Sequence, residues 1–282
     1  MDYKIATLLT CHNRKEKTLK CLNSITAQHI PKQVGKIDVF LVDDGSTDGT
    51  SEAVKSKFSH INVIHGTGDL YWNKGMRLAW ETAFIYDDYD FYLWINDDVN
   101  LEEGALMELL DCYTQAFSIY NNDSIIVGAF YNNQKEKEFS YGGRNKNKNI
   151  IPNGKIQECK YINGNTVLVS KKIFQSLGNL SSDYTHSMGD YDYGLRAISN
   201  GFRNISTKKF IGSCSPNKGR WHDQSVSLRK RVELFYSPKG LNYREYVVFR
   251  KKFWKNKWII FSLIAHFRVL FPRLYNLLKT AI

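Results

Sequence analysis

The stretch YLWINDDVN, residues 92–100, runs through apolar side chains and then sets two carboxylates side by side where the run stops. An unbroken apolar run, rather than an alternating one, marks a strand covered on both faces, and Phe91 to Ile95 reads that way. Asp97 and Asp98 then stand at the strand's carboxyl end. Ligands of open α/β sheets bind at that end, and two adjacent hard oxygen donors suit a divalent cation carrying phosphate. A plainer reading is a turn, in which Asn100 and Glu103 form a capping box for a helix over 101–118.

Working outward, apolar β-rich runs at 4–10, 37–42, 61–65 and 91–96 alternate with helical patterns at 14–28, 50–58, 73–86 and 101–118. That order predicts a mainly parallel sheet with helices on both faces. After residue 125 the alternation weakens into shorter runs such as SIIVGAF and NTVLVS, broken by the loop-like NNQKEKE and GGRNKNKN. Helices are expected again at 189–200, stopping at Gly201, and at 223–235. Beyond SPKG at 237–240, the segment 241–282 reads as an attached module of two helical pieces, with Pro272 bending or ending the second.

A chain of 282 residues with 43% hydrophobic and 24% charged residues is globular and able to bury a core. Its five cysteines are scattered, with no CxxC pair, which fits reduced thiols in the cytosol. The amino-terminal apolar run is too short for a signal peptide, and Trp258 to Ala265 is too short to span a membrane. The formal charge of +11 is concentrated in the tail: from Arg250 onward there are eight Lys and Arg and no acid. No nucleic-acid reader motif accompanies them. They are interleaved with aromatic residues, as in a helix lying on an anionic membrane; packing against the remainder of the chain or another subunit is the alternative.

Four predicted strands each end in polar residues, at Thr10 to Arg14, Asp43 to Asp48, Gly66 to Asn73 and Asn96 to Val99. In a parallel sheet these ends share one edge, where a ligand's groups must converge. Thr10, Asn13, Arg14 and Asp69 therefore become donor-side candidates. Ser46 or Asp48 can equally cap the helix from 50. Asp43 or Asp44 could accept the N–H of a pyrimidine base. Lys74 and the backbone N–H groups that start the next helix could face phosphate. Tyr71 and Trp72 either stack on a ring or cover the core.

The segments ATLLTCHNR, VFLVDDGSTDGT, GTGDLYWNKGMRLA, LWINDDV, INGNTVLVS and GDYDYGLRAISNGF stand in an order that resembles family 2 glycosyltransferases of the GT-A fold, over residues 3–235. The resemblance implies an α/β nucleotide-sugar-binding fold, with 1–120 as the nucleotide-binding half and 121–240 as the acceptor-binding half. It implies a nucleotide-sugar donor, Mn²⁺ or Mg²⁺ held through a DxD-like motif, and inversion at the anomeric carbon. Asn96-Asp97-Asp98 is then the DxD equivalent, with Asp98 on the metal and Asp97 nearer ribose or diphosphate. Asp190 matches the Asp of the family's Glu-Asp motif and becomes the general base, with Asp192 as the alternative or as support for the helix toward Arg196. His222 in RWHDQS resembles the downstream histidine that completes the metal shell, while Lys218 and Arg220 are candidates for the diphosphate. The chain departs from the pattern at Gly66, where relatives often carry Asn or Arg, and at Gly189, where they carry Glu.

The chemistry fits: a carboxylate can deprotonate an acceptor hydroxyl while a cation takes the leaving diphosphate's charge. The expected protein is a transferase using a UDP- or dTDP-sugar on a glycan or lipid-linked glycan at the inner face of the cell membrane, in surface-polysaccharide assembly. GDLYWNKG resembles bacterial rhamnosyltransferase-like members. A non-catalytic nucleotide-sugar-binding module would not need a positioned base. A sugar nucleotidyltransferase would favour a glycine-rich loop where this chain has TCHNRKEK.

Overall fold

The computed structural model describes residues 2–133, 138–146, 148–216 and 221–280. It begins with β1 (Tyr3–Cys11), α1 (Lys15–Thr26), β2 (Val34–Asp43), α2 (Thr50–Lys57), β3 (Asn62–His65), α3 (Tyr71–Tyr86) and β4 (Phe91–Ile95), the alternation predicted from hydropathy. Then come β5 (Asn100–Leu101), α4 (Ala105–Tyr120), β6 (Ser124–Asn132), β7 (Glu138–Tyr141), β8 (Arg144–Asn145), β9 (Lys148–Asn149), β10 (Gln157–Glu158), β11 (Thr166–Ser170), α5 (Lys171–Leu177), α6 (Gly189–Ser199) and β12 (Arg203–Ser213).

The main sheet runs β10-β12-β6-β11-β4-β1-β2-β3. β1 pairs in parallel with both β2 and β4, and β2 with β3, so the carboxyl ends of all four lie on one edge. β11 runs antiparallel between β4 and β6. The sheet is therefore mixed and mainly parallel, as expected for the fold class.

Alternating side chains feed two cores, because successive residues of a strand point to opposite faces. Ile5 and Leu9, Leu41, Phe91, Leu93 and Ile95 pack with Cys21 and Leu22 of α1 and with Leu106 and Leu109 of α4. Ala6, Leu8, Phe40, Val42, Tyr92 and Trp94 face the other way, toward Met76, Ala79 and Trp80 of α3 and Tyr193 and Ala197 of α6. Each Leu, Ile, Val, Phe or Met among them stabilises the fold by about 1.5–3 kcal/mol. Trp80 is the hub of the second core, with ring centroids 5.0 Å from Phe174, 5.3 Å from Tyr92 and Trp94, and 5.5 Å from Tyr193.

One expected boundary moves. Asn100 does not cap a helix, because Asn100 and Leu101 pair with Ser213 and Gly212 of β12. With that backbone held in a sheet, α4 starts only at Ala105, after Gly104 turns the chain at φ +76°.

The chain divides into two compact units, Met1–Ser181 with Asp190–Pro216, and Ser182–Gly189 with Asn217–Ile282. The second unit contains α7 (Leu228–Tyr236), α8 (Tyr243–Trp254), a 3₁₀ turn at Lys255–Lys257, α9 (Trp258–Leu270) and α10 (Pro272–Thr280). α7 begins five residues later than predicted, after Ser227, whose hydroxyl accepts the Lys230 N–H at 3.3 Å. Its own core is Phe235, Leu241, Tyr246, Ala265 and Val269. The tail holds three helices rather than two: Pro272 opens α10, at the first helical position, where its missing N–H costs no hydrogen bond.

Candidate active site

β1 and β4 stay paired from Ile5 with Phe91 to Leu8 with Trp94, and the pairing stops there. Ligands of open α/β sheets bind beyond such strand ends, in the crevice at the carboxyl edge. Asn96 is held at the end of β4 by three bonds: its N–H donates to the Asn165 carbonyl at 2.9 Å, its Nδ2 donates to Asn165 Oδ1 at 2.7 Å, and its Oδ1 accepts Trp72 Nε1 at 2.7 Å. These bonds fix the strand end from which Asp97 and Asp98 follow. Arg14, from the loop after β1, donates Nη1 to Asp97 Oδ1 at 2.9 Å and to Asp98 Oδ2 at 3.1 Å. Asp97 is 5% exposed. Burial pushes its carboxyl up to about 6, against the opposing pull of Arg14 and with the help of Asp98.

The loop after β2 is shaped by its two carboxylates. Asp43 accepts the Ser46 N–H at 3.0 Å and the Ser51 hydroxyl. Asp44 reaches across to three backbone N–H groups, of Gly68 at 2.8 Å and of Leu70 and Tyr71 at 2.9 Å each. Both carboxylates are buried, at 2% and 3% exposure, so in this state they hold the loops that wall the crevice. α3 starts at Tyr71, two residues before the expected 73, and Asp44 caps that start through the N–H groups of Leu70 and Tyr71. Asp44 also explains Gly66, because a Cβ there would lie 2.7 Å from Asp44 Oδ1 and 2.9 Å from its Cα.

Asn13 stitches the first loop to the second, its N–H donating to Ser46 Oγ at 2.9 Å and its Oδ1 accepting the Thr47 N–H at 2.7 Å. Asn13 and Tyr71 hold φ of +50° and +55°, a region that costs side-chain-bearing residues roughly 1–2 kcal/mol. Strain of this kind gathers where loops are over-determined. Asp48 caps the start of α2, accepting the Thr50 N–H at 3.1 Å, and also takes the Lys15 N–H at 3.0 Å. Thr10 is 9% exposed and lies under α3, where a Cβ at Gly75 would strike its Oγ1. Asp69 and Lys74 are exposed. Trp72 resolves toward the wall, its indole packed on Gly164, where any Cβ would come within 2.4 Å of the ring.

Gly164 continues the wall to Asp190. Its N–H donates to Asp190 Oδ2 at 3.0 Å, and the Tyr191 N–H donates to Oδ1 at 2.8 Å. Burial raises the Asp190 pKa, while those two N–H groups and the charge of Arg144 oppose the rise. Arg144 lies over the Tyr191 ring at 5.3 Å and donates to its hydroxyl. Asp192 is fully buried and takes Arg196 Nε at 2.6 Å, so its carboxylate supports the helix. The chain Asn96–Trp72–Gly164–Asp190 therefore links the acid pair to the candidate base through packed and bonded groups. Sequence reasoning missed the structural part of Asn165 and Arg144, although INGN, which contains Gly164 and Asn165, was available as a signal.

His222 lies in the second unit, beside Trp221 at 4.8 Å between ring centroids. Lys218 and Arg220 fall outside the described residues. Among the described residues, no three His, Cys, Asp or Glu side chains gather as a cation cage. The Asp97–Asp98 pair nevertheless suits Mg²⁺ or Mn²⁺ chemically, since such ions are held by one or two carboxylates together with substrate phosphates and water.

Known proteins resemble this chain in sequence and fold. The sequence pattern of glycosyl transferase family 2 matches residues 7–178. Hyaluronan synthase of Streptococcus pyogenes is 30% identical over 122 residues, 40% of this chain and 27% of its own length. The chain thus spans about a quarter of that relative. Glycosyltransferase AglE of Haloferax volcanii is 39% identical over 51 residues, 18% of this chain and 16% of AglE. Among solved structures, S. aureus TarS 1-349 superposes with TM-score 0.56 at 14% identity, covering 96% of this chain and 82% of that one. A mannosyltransferase from Pyrobaculum calidifontis, in complex with GDP-Man and Mn²⁺, superposes with TM-score 0.54 at 15% identity, covering 79% and 59%. At such identities the likeness shows the fold, and it bears out the GT-A architecture.

Proposed function

The chain belongs to glycosyl transferase family 2, and from that premise we propose that it moves a sugar from a nucleoside-diphosphate donor to a hydroxyl of a glycan or lipid-linked glycan acceptor, with inversion. The observation that carries this reading is the acid pair at the end of β4, Asp97 buried and Asp98 partly so, bridged by Arg14 from the loop after β1. TarS has also been solved with UDP, and its fold likeness supports a nucleotide at this edge. A UDP- or dTDP-sugar is the donor class we favour.

In the proposed reaction Asp190 accepts the acceptor's hydroxyl proton, and the hydroxyl oxygen forms the new bond to the anomeric carbon. The bond from that carbon to the diphosphate oxygen breaks, and its electron pair leaves with the nucleoside diphosphate. A divalent ion, for which Asp98 is the candidate ligand, would supply charge neutralisation for that leaving group. Arg14 turns from the acid pair toward the diphosphate, and Asp97 supports the ribose or diphosphate. Asp43 and Asp44 act by fixing the loops around the nucleoside, together with Thr10, Asn13 and Trp72, while Asp69 and Lys74 face the donor from the exposed rim. The raised pKa of Asp190 improves a general base, because proton affinity closer to neutrality strengthens proton abstraction. The enzyme would work at the inner face of the cell membrane, in surface-polysaccharide assembly.

Calorimetric titration with UDP, dTDP, GDP and CDP in Mn²⁺, repeated with EDTA and with Asp98→Ala, tests the reading. Metal-dependent binding of one pyrimidine diphosphate, lost in the variant, is expected. Equal binding with and without metal, or in wild type and variant alike, would remove the metal role, and absence of binding to all four would remove the donor assignment.

A further inference from the structure

α9 is apolar on two faces. Ala265 and Val269 are buried in the core of the second unit, whereas Ile259, Ile260 and Leu263 on the outer face are 52%, 58% and 65% exposed. α10 carries exposed apolar residues as well, with Leu274, Leu277 and Leu278 at 48%, 68% and 50% exposure. A helix that is apolar outside as well as inside has a second partner to cover it.

The charges identify that partner. Arg250 is taken up internally, its guanidinium 4.1 Å from the Phe261 ring, 4.6 Å from Trp254 and 4.8 Å from Tyr246. Arg268 likewise stacks on Tyr275 at 4.8 Å and Trp221 at 5.3 Å. Lys255 and Lys257 are exposed in the turn just before Ile259, and Arg273 is exposed just after the break between α9 and α10. The apolar outer face is thus bracketed by cations, in a segment with no acid from residue 250 onward. A second copy of this chain would set like charges against each other there, whereas anionic headgroups would complement them.

Length and bend favour lying on a bilayer over crossing it. The 13 residues of α9 extend only about 20 Å, short of the roughly 30 Å of hydrocarbon in a bilayer. Among the described residues no single helix is long and apolar enough to cross; Tyr243–Leu270 and Pro272–Leu278 have the length and composition only together, and they meet at a bend of 120°. We propose that the outer faces of α9 and α10 form an interfacial anchor that sinks Ile260, Leu263 and Leu277 into the headgroup boundary of an anionic membrane, with Lys255, Lys257 and Arg273 on its phosphates. The inference deepens the membrane part of the proposed function and rests on the second unit alone.

The test is flotation of the full chain with vesicles of phosphatidylcholine alone or mixed equally with phosphatidylglycerol, with UDP binding measured in parallel. Wild type is expected to float with the mixed vesicles. Ile260→Glu with Leu263→Glu should weaken that binding by about 10-fold or more, since two partly inserted apolar side chains are lost. Lys255→Gln with Lys257→Gln should weaken it by roughly 30-fold on mixed vesicles and little on neutral ones. All four positions are exposed, and unchanged UDP binding in the variants shows that the nucleotide site is intact. Wild type that fails to float, variants that float as well as wild type, or a wild-type dimer that the Glu pair dissociates would each overturn the anchor. Loss of UDP binding in wild type would count against the sugar-transfer reading and leave the anchor standing.

Discussion

Trp72 Nε1 donates to Asn96 Oδ1 at 2.7 Å, and that bond ties the first turn of α3 to the loop that carries Asp97 and Asp98. A residue that sequence reading left between ring-stacking and core cover is thereby a strut of the site. Its indole also packs on Gly164, which in turn holds Asp190, so one side chain braces both halves of the proposed chemistry.

Trp72→Phe keeps most of the packing and removes the donor. Leaving Asn96 Oδ1 unsatisfied in a half-buried wall should cost about 1–3 kcal/mol, read by urea unfolding. Nucleotide affinity should fall with it, and a variant with unchanged stability and unchanged UDP affinity would show that the bond does not position the acid pair.

Gly66→Ala places a Cβ within 3 Å of Asp44 and Leu70. The loop after β3 has to shift, and overpacking of this kind costs about 1–3 kcal/mol. A melting temperature equal to wild type would mean that the Asp44 bridge to residues 68–71 yields freely.

Asp190→Asn should retain nucleotide binding and lose transfer by about 10²–10⁴-fold, the usual contribution of a general base. In wild type the base works only when deprotonated, so activity should rise with pH as Asp190 loses its proton. Because burial raises its pKa, that acidic limb should lie above the 3.8 of an ordinary aspartate. A pH profile flat down to the ordinary carboxylate range, or an active Asn variant, would reassign the base.

Asp192→Ala has the opposite signature. It removes the carboxylate 2.6 Å from Arg196 Nε and leaves the guanidinium on the carbonyls of Leu177 and Asn179. Losing a charged hydrogen bond of this kind should destabilise by about 1.5–3 kcal/mol. Chemical denaturation measures this, and a loss of activity without loss of stability would instead put Asp192 in the chemistry.

Periodic patterns were legible because they are local. The apolar run Phe91–Ile95 could be read as a buried strand since a two-sided core demands apolar residues at every position, and all five are buried. The start of α4 was not legible from Asn100 and Glu103, because Asn100 pairs with Ser213, a residue 113 positions further on. The part of Asp44 was likewise hidden, since the three N–H groups it accepts come from a loop more than twenty residues away.

By itself the sequence determined the parallel βα order, the edge at which polar groups gather, the identity of the acid pair and the basic, aromatic character of the tail. Those follow from hydrophobic period, turn chemistry and charge, which act over a few residues. Only the tertiary structure decided which carboxylates remain for a ligand and which are consumed within the fold. Asp43, Asp44 and Asp192 are enclosed by donors from the same chain, while Asp97 and Asp98 share one arginine at the carboxyl edge of the sheet. A carboxylate's role depends on its nearest donors and its access to water, and these are set by residues distant in sequence that folding brings within hydrogen-bonding reach.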